Sequence, residues 1–593
     1  MKNKKNIIAK TVMQRKKIRQ DNIYQLGITM AIIILLAIVS NHLFTRIDLT
    51  SDNRYTLSEH TKSMLKDIDD IVYFKVYLDG DLPAGFMRLQ NATREILDEF
   101  RAYGKDNIQY EFINPAESPD RRTRNEVFRQ LYEKGIDPTS LQIKEADGGD
   151  RQKTIFPGVM VSYRGEEIPV NILKNYVGYS PEGNLNASIQ ALEYELTFAI
   201  HKLTTRIAPK IGFIEGHGEL DSMQVNDIAH TLAEFYHLER VPLNGNLYSL
   251  RDTLNRNRYN LIIIAKPKNA FTEKDKFLID QYIMNGGRVL WLVDNVNVNM
   301  DSLAYSRSTL GLINKLNLND QLFRYGVRIN PNLVQDMQCA VIPVNTALAG
   351  QKPKFTPAPW IYFPIIAPSQ NHTITRNLDM VKLQFANVID TVGEDPNIKK
   401  TILLASSKYS RAVTAPILID LSLISEKIEP SRFNKSFLPT GVLLEGTFNS
   451  VFANRITPLL SKNSEIAFKN VSNPTKMIVI SDGDIIRNHV HGVGKNMKAL
   501  PLGYDRFTKQ TFGNKELILN CINYLCDMQG LLEARTKEYK LRLLDRPKIT
   551  KERVKWQIIN VVLPVLLVIL SGAFFIYFRK RRYAKNINKQ ADT

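Results

Sequence analysis

The sequence is poor in the residues on which most enzymes and secreted scaffolds depend. It has three cysteines in 593 residues, at positions 339, 521 and 526, an odd and small number that argues against a disulfide framework. Cys521 and Cys526, in "LNCINYLC", stand five apart on a helical pattern and do not face each other squarely, so they are expected in a core rather than in a bridge. Catalytic signatures are also missing. The chain has no G-x-S-x-G elbow, no G-x-x-x-x-G-K-[ST] phosphate loop and no H-E-x-x-H, which removes three common hydrolytic chemistries. "HGVGKN" at 491–496 lacks the earlier glycine of a phosphate loop, and no Ser or Thr follows its lysine, so ATP hydrolysis is not expected. His489 and His491 could ligate a metal, but two histidines in a polar loop are more often solvated. No cofactor and no metal is expected.

Two long stretches lack charge altogether. From Asn22 to Thr45, and again over "WQIINVVLPVLLVILSGAFFIYF" at 556–578, no residue carries a formal charge. At 1.5 Å per residue, about 20 residues of helix cross the roughly 30 Å of bilayer hydrocarbon. Transmembrane helices are therefore expected at 23–44 and 556–578. The first apolar run is too long for a cleaved signal peptide, and "SNHLFTRID" after it has no A-x-A-like cleavage site. The second is followed at once by "RKRRYAK", unlike a buried core helix.

Residues 1–22 hold eight basic side chains and one acidic, against three basic in residues 45–64, so the amino terminus should stay cytoplasmic. A second span returns the carboxyl terminus to the same side. Residues 536–555 carry eight basic groups against six after Phe578, which opposes this orientation, but long loops translocate largely regardless of charge. The expectation is a two-pass protein of a bacterial inner membrane with residues 45–555 in the periplasm. The tails 1–22 and 579–593 then account for twelve of the nineteen net positive charges. These meet anionic lipid better than nucleic acid, which is not an expected partner.

A region of this length exceeds one core and divides into about three units at roughly 150 residues each. In residues 45–206, "DDIVYFKVYLDGDLP" reads as a strand, "ATREILDEFRAYG" as a helix and "NIQYEFINP" as a strand, a crossover unit of an α/β domain. Ile189, Leu192, Leu196, Ala199 and Leu203 recur at helical spacing. In residues 207–530, "YNLIIIAKP" and "RVLWLVD" are apolar runs suited to strands buried on both faces. Between them "TEKDKFLIDQYIMNGG" is a helix with Thr272 as its cap. The alternation predicts a doubly wound α/β sheet. An insertion is expected at about 295–400, where "QKPKFTPAPWIYFPIIAP", with five prolines, reads as an irregular surface segment. Residues 531–555 form a charged segment next to the membrane.

The stretch "KIGFIEGHGELDS" at 210–222 raises the question of chemistry. Gly216 and Gly218 suit a tight strand-to-helix turn, and Asp221 with Gln224 suits a capping box. Open α/β sheets bind ligands beyond the carboxyl ends of their strands. Asp294, Asp482 and Asp484, with Ser481, follow strands too and could converge there with Glu215, His217 and Glu219, forming an oxygen-rich ligand or docking surface suited to a hard cation. The alternative is a membrane-tethered periplasmic hydrolase using His217 with Glu215 or Glu219.

Several motifs then occur in order between the two apolar runs: "DNRYTLSEHTK", "IGFIEGHGEL", "PWIYFP", "LLEGTFNSVFANR", "SDGDIIRN" and "EARTKEYKLRLLD". On these the sequence resembles the GldG family, gliding-motility-associated auxiliary or substrate-binding components of an ABC transporter. The resemblance spans residues 52–544. It implies a thioredoxin-like domain without C-x-x-C in the first region and a glutamine-amidotransferase-like domain, without the nucleophilic cysteine, in the second. It also implies a non-enzymatic role in gliding motility or secretion alongside a membrane permease and a separate ATPase subunit.

Overall fold

The computed structural model describes residues 23–35, 56–144, 150–175, 180–204, 208–298, 300, 303, 306–345, 352, 354–424, 429–455, 467–492, 497–526 and 546–588. The chain forms two units, Met1–Lys537 and Glu538–Thr593.

In the first unit, α1 (Ile23–Leu35) is a short apolar helix. The remainder of the expected span at 23–44 lies outside the described residues. α2 (Glu59–Lys66) starts at Ser58, whose hydroxyl caps the Thr61 amide at 3.2 Å. This helix is pinned from within, because the buried Glu193 carboxylate accepts from Ser58 N at 2.7 Å and from Thr61 Oγ1 at 3.1 Å.

β1 (Val72–Val76) buries Val72, Phe74 and Val76 and leaves Tyr73 and Lys75 part-exposed, the period of two that a pleated strand imposes. α3 (Ala84–Gly104) buries Leu89, Thr93, Leu97 and Phe100 on one face and leads to β2 (Ile108–Phe112), parallel to β1. After α4 (Arg121–Glu133), β3 (Thr139–Lys144) and β4 (Asp150–Ile155) make a separate antiparallel pair. β5 (Gly158–Tyr163) and β6 (Glu166–Asn171) complete a sheet of order β2-β1-β5-β6.

α5 (Pro181–Thr204) closes this core with Leu192, Leu196, Ala199 and Ile200, while its Tyr194 belongs to the core of the next sheet. Phe198 on the same helix lies 4.7 Å from the Phe235 ring, and Lys202 pairs with Glu234 at 2.6 Å.

The larger sheet begins with β7 (Lys210–Glu215), α6 (Asn226–Ala233), β8 (His237–Pro242), β9 (Leu261–Ala265), α7 (Glu273–Met284) and β10 (Arg288–Leu292). β9 is buried along its whole length and β10 after its first residue, as their unbroken apolar runs require. Thr272 caps α7 as its position suggests, its Oγ1 accepting from Asp275 N at 3.2 Å.

The chain then leaves the sheet for a β-rich segment. Its elements are β11 (Val296–Asn297), β12 (Ser308–Ile313), α8 (Asn319–Tyr325), β13 (Val327–Ile329), β14 (Asn332–Asp336), β15 (Cys339–Asn345), β16 (Phe355–Ile366), β17 (Val381–Lys382) and β18 (Ile389–Thr391). It returns as β19 (Ile398–Ala405) and leaves again for β20 (Ser410–Thr414) and β21 (Ile417–Asp420), which pair with β14 and β12. It then finishes the sheet with β22 (Pro439–Gly446) and β23 (Thr475–Ile480). The strand order is β19-β22-β23-β10-β9-β7-β8. The contacts among β8, β7, β9, β10 and β23 are parallel, and those of β22 and β19 antiparallel. α6 and α9 (Asn514–Leu525) cover one face and α7 and α8 the other. Cys521 is buried in α9, and none of the three cysteines is in a disulfide.

The reading of "PWIYFP" as a surface segment is corrected here. Trp360 and Tyr362 are each 1% exposed in the core of the β-rich segment, and the stretch lies within the twelve-residue strand β16. Pro357 sits opposite Pro343 and Pro359 opposite Val341. A pair of facing prolines has no N–H to exchange, so this is a non-hydrogen-bonded register position, and Pro359, two residues on, shares it. Pro343, Pro357 and Pro359 therefore cost the β15–β16 ladder nothing.

In the second unit, α10 (Arg546–Asn588) carries a stretch long and apolar enough to cross a membrane, Glu552–Arg581, with Pro564 inside it. This helix and the short α1 are compatible with a membrane location.

Candidate functional site

The turn after β7 is built as its glycines suggest, with Gly216 at φ +118° and Gly218 at φ +74°. Its backbone docks on the loop after β9, since Lys268 N and Asn269 N both donate to His217 O at 2.8 Å and Leu220 N donates to Ala265 O at 3.0 Å. Asp221 and Gln224 exchange the reciprocal bonds of a capping box at 2.9 and 3.1 Å, across the turn that leads into α6.

His217 is 4% exposed. Its ring stacks on Phe271 with centroids 3.7 Å apart. Its Nδ1 lies 3.1 Å from Glu219 Oε1 and its Nε2 lies 3.2 Å from Asp275 Oδ2. Each ring nitrogen faces a carboxylate, so only the doubly protonated ring donates to both. Burial works against that charge, but the hydrogen bonds and charges of Glu219 and Asp275 outweigh it and raise the pKa above the usual histidine value. The carboxylates are further held, Glu219 by His217 N at 2.7 Å and Asp275 by Gly245 N at 2.8 Å. Glu215 does not join them. It pairs with Arg240 of β8, which also donates to Leu220 O at 2.6 Å.

The other expected acids meet at a second cluster, around a residue that sequence reasoning missed. Lys266, one residue past β9 and at φ +54°, pairs with Asp484 and lies 3.2 Å from Asp294. Asp294 Oδ1 accepts from Gly483 N at 2.5 Å. Asp482 accepts from Gln384 N at 2.7 Å and from Asp484 N at 2.8 Å. The place offered to a hard cation is thus taken by an ammonium of the chain itself. Burial opposes the charge on Lys266, but Asp294 and Asp484 hold its pKa above normal. Burial raises Asp294 despite the attraction of Lys266, with Asp484 adding repulsion, and burial with Asp294 and Asp484 pushes Asp482 well above the carboxylate range. One ammonium is shared among three buried carboxyls, which is why burial and mutual repulsion push Asp482 upward. Arg487, 3.4 Å from Asp484, balances the remaining charge. Ser481 is spent on structure, donating to the carbonyls of Asn387 and Thr440.

Gly483 explains the glycine of "SDGD". A Cβ there would stand 2.6 Å from both Cβ and Cγ of Lys266. Gly483→Ala is accordingly expected to cost about 1–3 kcal/mol by overpacking, read as a lowered thermal midpoint of the full chain. An unchanged midpoint would show that the contact is not tight.

Of the residues missed, Asp275 had a signal in its place three residues after the cap Thr272, and Lys266 only in its place just beyond a strand. Arg240 had none. The phosphate-loop-like residues 493–496 lie outside the described residues, as does "EARTKEYKLRLLD".

A cleft of about 910 Å³ opens beside the second cluster. Lys266, Asp484, Arg487 and His489 line it from the carboxyl edge of the sheet, and residues of β15, β16 and the end of β21 line it from the β-rich segment. This is the crevice in which open α/β sheets take ligands.

Residues 208–521 match the model of a family described as ABC-type uncharacterized transport system, and residues 51–162 match one described as a domain of unknown function (DUF7088). A protein of Borreliella burgdorferi, described as uncharacterized, is 21% identical over 459 residues, covering 76% of this chain and 82% of its own. Among solved structures, mmIFT52 N-terminal domain aligns with 54% of this chain and 97% of its own at 12% identity and a TM-score of 0.29, too low to carry an argument.

Proposed function

The chain belongs to the family of auxiliary components of an ABC-type uncharacterized transport system, and from that membership we propose that it is a non-enzymatic accessory subunit acting by binding a ligand or partner outside the cytoplasm. Membership implies association with transporter components. In this reading they are a permease and a separate ATPase subunit, the process served is gliding motility or secretion, and residues 45–555 are periplasmic between two anchors in a bacterial inner membrane. The order of the smaller sheet supports a thioredoxin-like domain over 45–206. The five parallel strands with helices on both faces support an amidotransferase-like domain over 207–530.

The observation that supports this best is that all six candidate acids and bases are committed to partners within the chain. Glu215 is spent on Arg240, His217 and Glu219 on each other with Asp275, and Asp294, Asp482 and Asp484 on the Lys266 cluster. A general base needs an unprotonated nitrogen within reach of a substrate proton, and both nitrogens of His217 are occupied.

Captured from native membranes in mild detergent, the full chain should bring a permease and an ATPase subunit with it, and added protease should digest its bulk in intact spheroplasts. Recovery of the chain alone would sink the accessory reading, and a protected bulk would reverse the orientation.

A further inference from the structure

The cleft at the carboxyl edge of the large sheet has two chemically distinct walls, and together they define a ligand. Five cationic side chains line it, Lys266, Arg307, Lys382, Arg487 and Arg506, against three acids, Asp420, Asp484 and Asp505. Most of these charges are already matched. Lys266 belongs to the buried cluster, Lys382 pairs with Asp505 at 2.8 Å, and Arg487 leans on Asp484. Arg307 is exposed and lies near Asp420, whose carboxyl is held low first by Ser422 and also by the charge of Arg307, whereas Arg506 is exposed and forms no ion pair among the described residues. With Lys266 and Arg487 set against Asp294 and Asp484, and Lys382 against Asp505, Arg506 remains as an unmatched positive charge of the lining.

His489, also in the lining, titrates below the ordinary histidine value because it has lost water on its inner side and because Lys382, Arg487 and Arg506 repel its proton. The opposite wall is aromatic. Phe363 and Phe385 pack edge to face at 5.3 Å, Phe507 lies beside Arg506, and Phe355 leaves 58% of its surface uncovered. About 910 Å³ is the size of a pocket that encloses a small organic molecule.

We propose that this cleft binds a phosphate monoester carrying an apolar group, with the phosphate against Arg506 and the neighbouring Arg487, and the apolar group on Phe355, Phe363 and Phe507. A phosphate monoester carries nearly two negative charges at neutral pH, which Arg506 and Arg487 would face. The guanidinium fork suits its oxygens. The apolar group covers the exposed ring of Phe355 and the half-buried ring of Phe507, which water would otherwise wet. The proposal rests on the accessory-subunit reading and names the class of ligand that the subunit would hold.

The test uses the full chain in nanodiscs of phosphatidylcholine, with 1-naphthyl phosphate as the probe and equilibrium dialysis against empty discs as the readout. Saturable binding is expected, weakened at least tenfold by Arg506→Ala and also by Phe355→Ala. Both residues are exposed, so neither change should disturb folding, which an unaltered thermal midpoint would verify. Inorganic phosphate and 1-naphthol should each bind at least tenfold more weakly than the ester. Absence of saturable binding, equal binding of 1-naphthol, or binding indifferent to Arg506→Ala would each overturn the proposal. Phosphatidic acid built into the discs distinguishes the source: competition with the probe upholds the site as one for a membrane lipid, and lack of competition upholds it as one for a soluble ester. If the probe fails to bind while permease and ATPase still co-purify, the cleft assignment falls and the accessory reading stands.

Discussion

Lys266→Met lowers the unfolding free energy by about 3–5 kcal/mol, because it leaves two buried carboxylates without their cation. The side chains of Asp294 and Asp484 are 9% and 7% exposed, so water cannot take over. Thermal unfolding of the full chain in detergent, followed through the buried indoles of Trp291 and Trp360, measures the loss. The deficit should depend on pH in a definite direction. A carboxyl whose folded pKa lies above its unfolded value near 3.9 binds its proton more tightly in the folded state. It therefore favours folding at low pH, and that support is lost as pH rises through the folded pKa. Asp294 is raised in this way already, and without Lys266 it moves further in the same direction, so the deficit should be small near pH 4 and grow toward pH 8. Adding Asp294→Asn and Asp484→Asn to Lys266→Met should restore most of the loss, since neutral groups of similar shape need no counterion. A midpoint for Lys266→Met equal to that of the unaltered chain at pH 7 would show that the cluster does not hold the sheet edge together.

His217→Ala is the second large effect, at about 2–4 kcal/mol. The change removes a buried ring stacked on Phe271 and strips Glu219 and Asp275 of a shared donor. The charge on His217 contributes stability that is fully present below the unfolded histidine pKa of about 6.5 and is lost as pH rises through the higher folded value. The penalty of the substitution should therefore be greatest near pH 6 and decline above it. A full-strength fold with function abolished would reverse the assignment and make the turn a reaction centre.

Much of the α/β framework was legible because its signals are periodic. β9 and β10 announce themselves as apolar runs, and Thr272 marks the start of α7 in the same stretch of sequence that sets its apolar face. The helical spacing of Ile189 to Leu203 locates α5. The β-rich segment was not legible for two reasons. Its pairings, such as Ser308 with Asp420 and Asn332 with Thr414, join strands far apart in the chain, which no local pattern records. The prolines of β16 also mimic a loop, although their positions in the register make them harmless. At the site, sequence reasoning puts all six acids and bases in one convergent group, whereas the chain divides them between the His217 turn, the Lys266 cluster and the Glu215–Arg240 pair. The cation that gathers Asp294 and Asp484 was not legible, because one lysine beyond a strand looks like any solvated lysine. What distinguishes Lys266 is burial, and burial is a property of the packed chain.

α5 settles how the two sheets can respond to a pull. Leu192 and Leu196 are seated in one core and Tyr194 in the other, with Phe198 and Lys202 tied to the loop after α6. A rod embedded at both sides leaves no slack between the bodies it joins. Bending there would peel the Phe198 ring off Phe235 and part Lys202 from Glu234, so motion of one sheet against the other is resisted at α5.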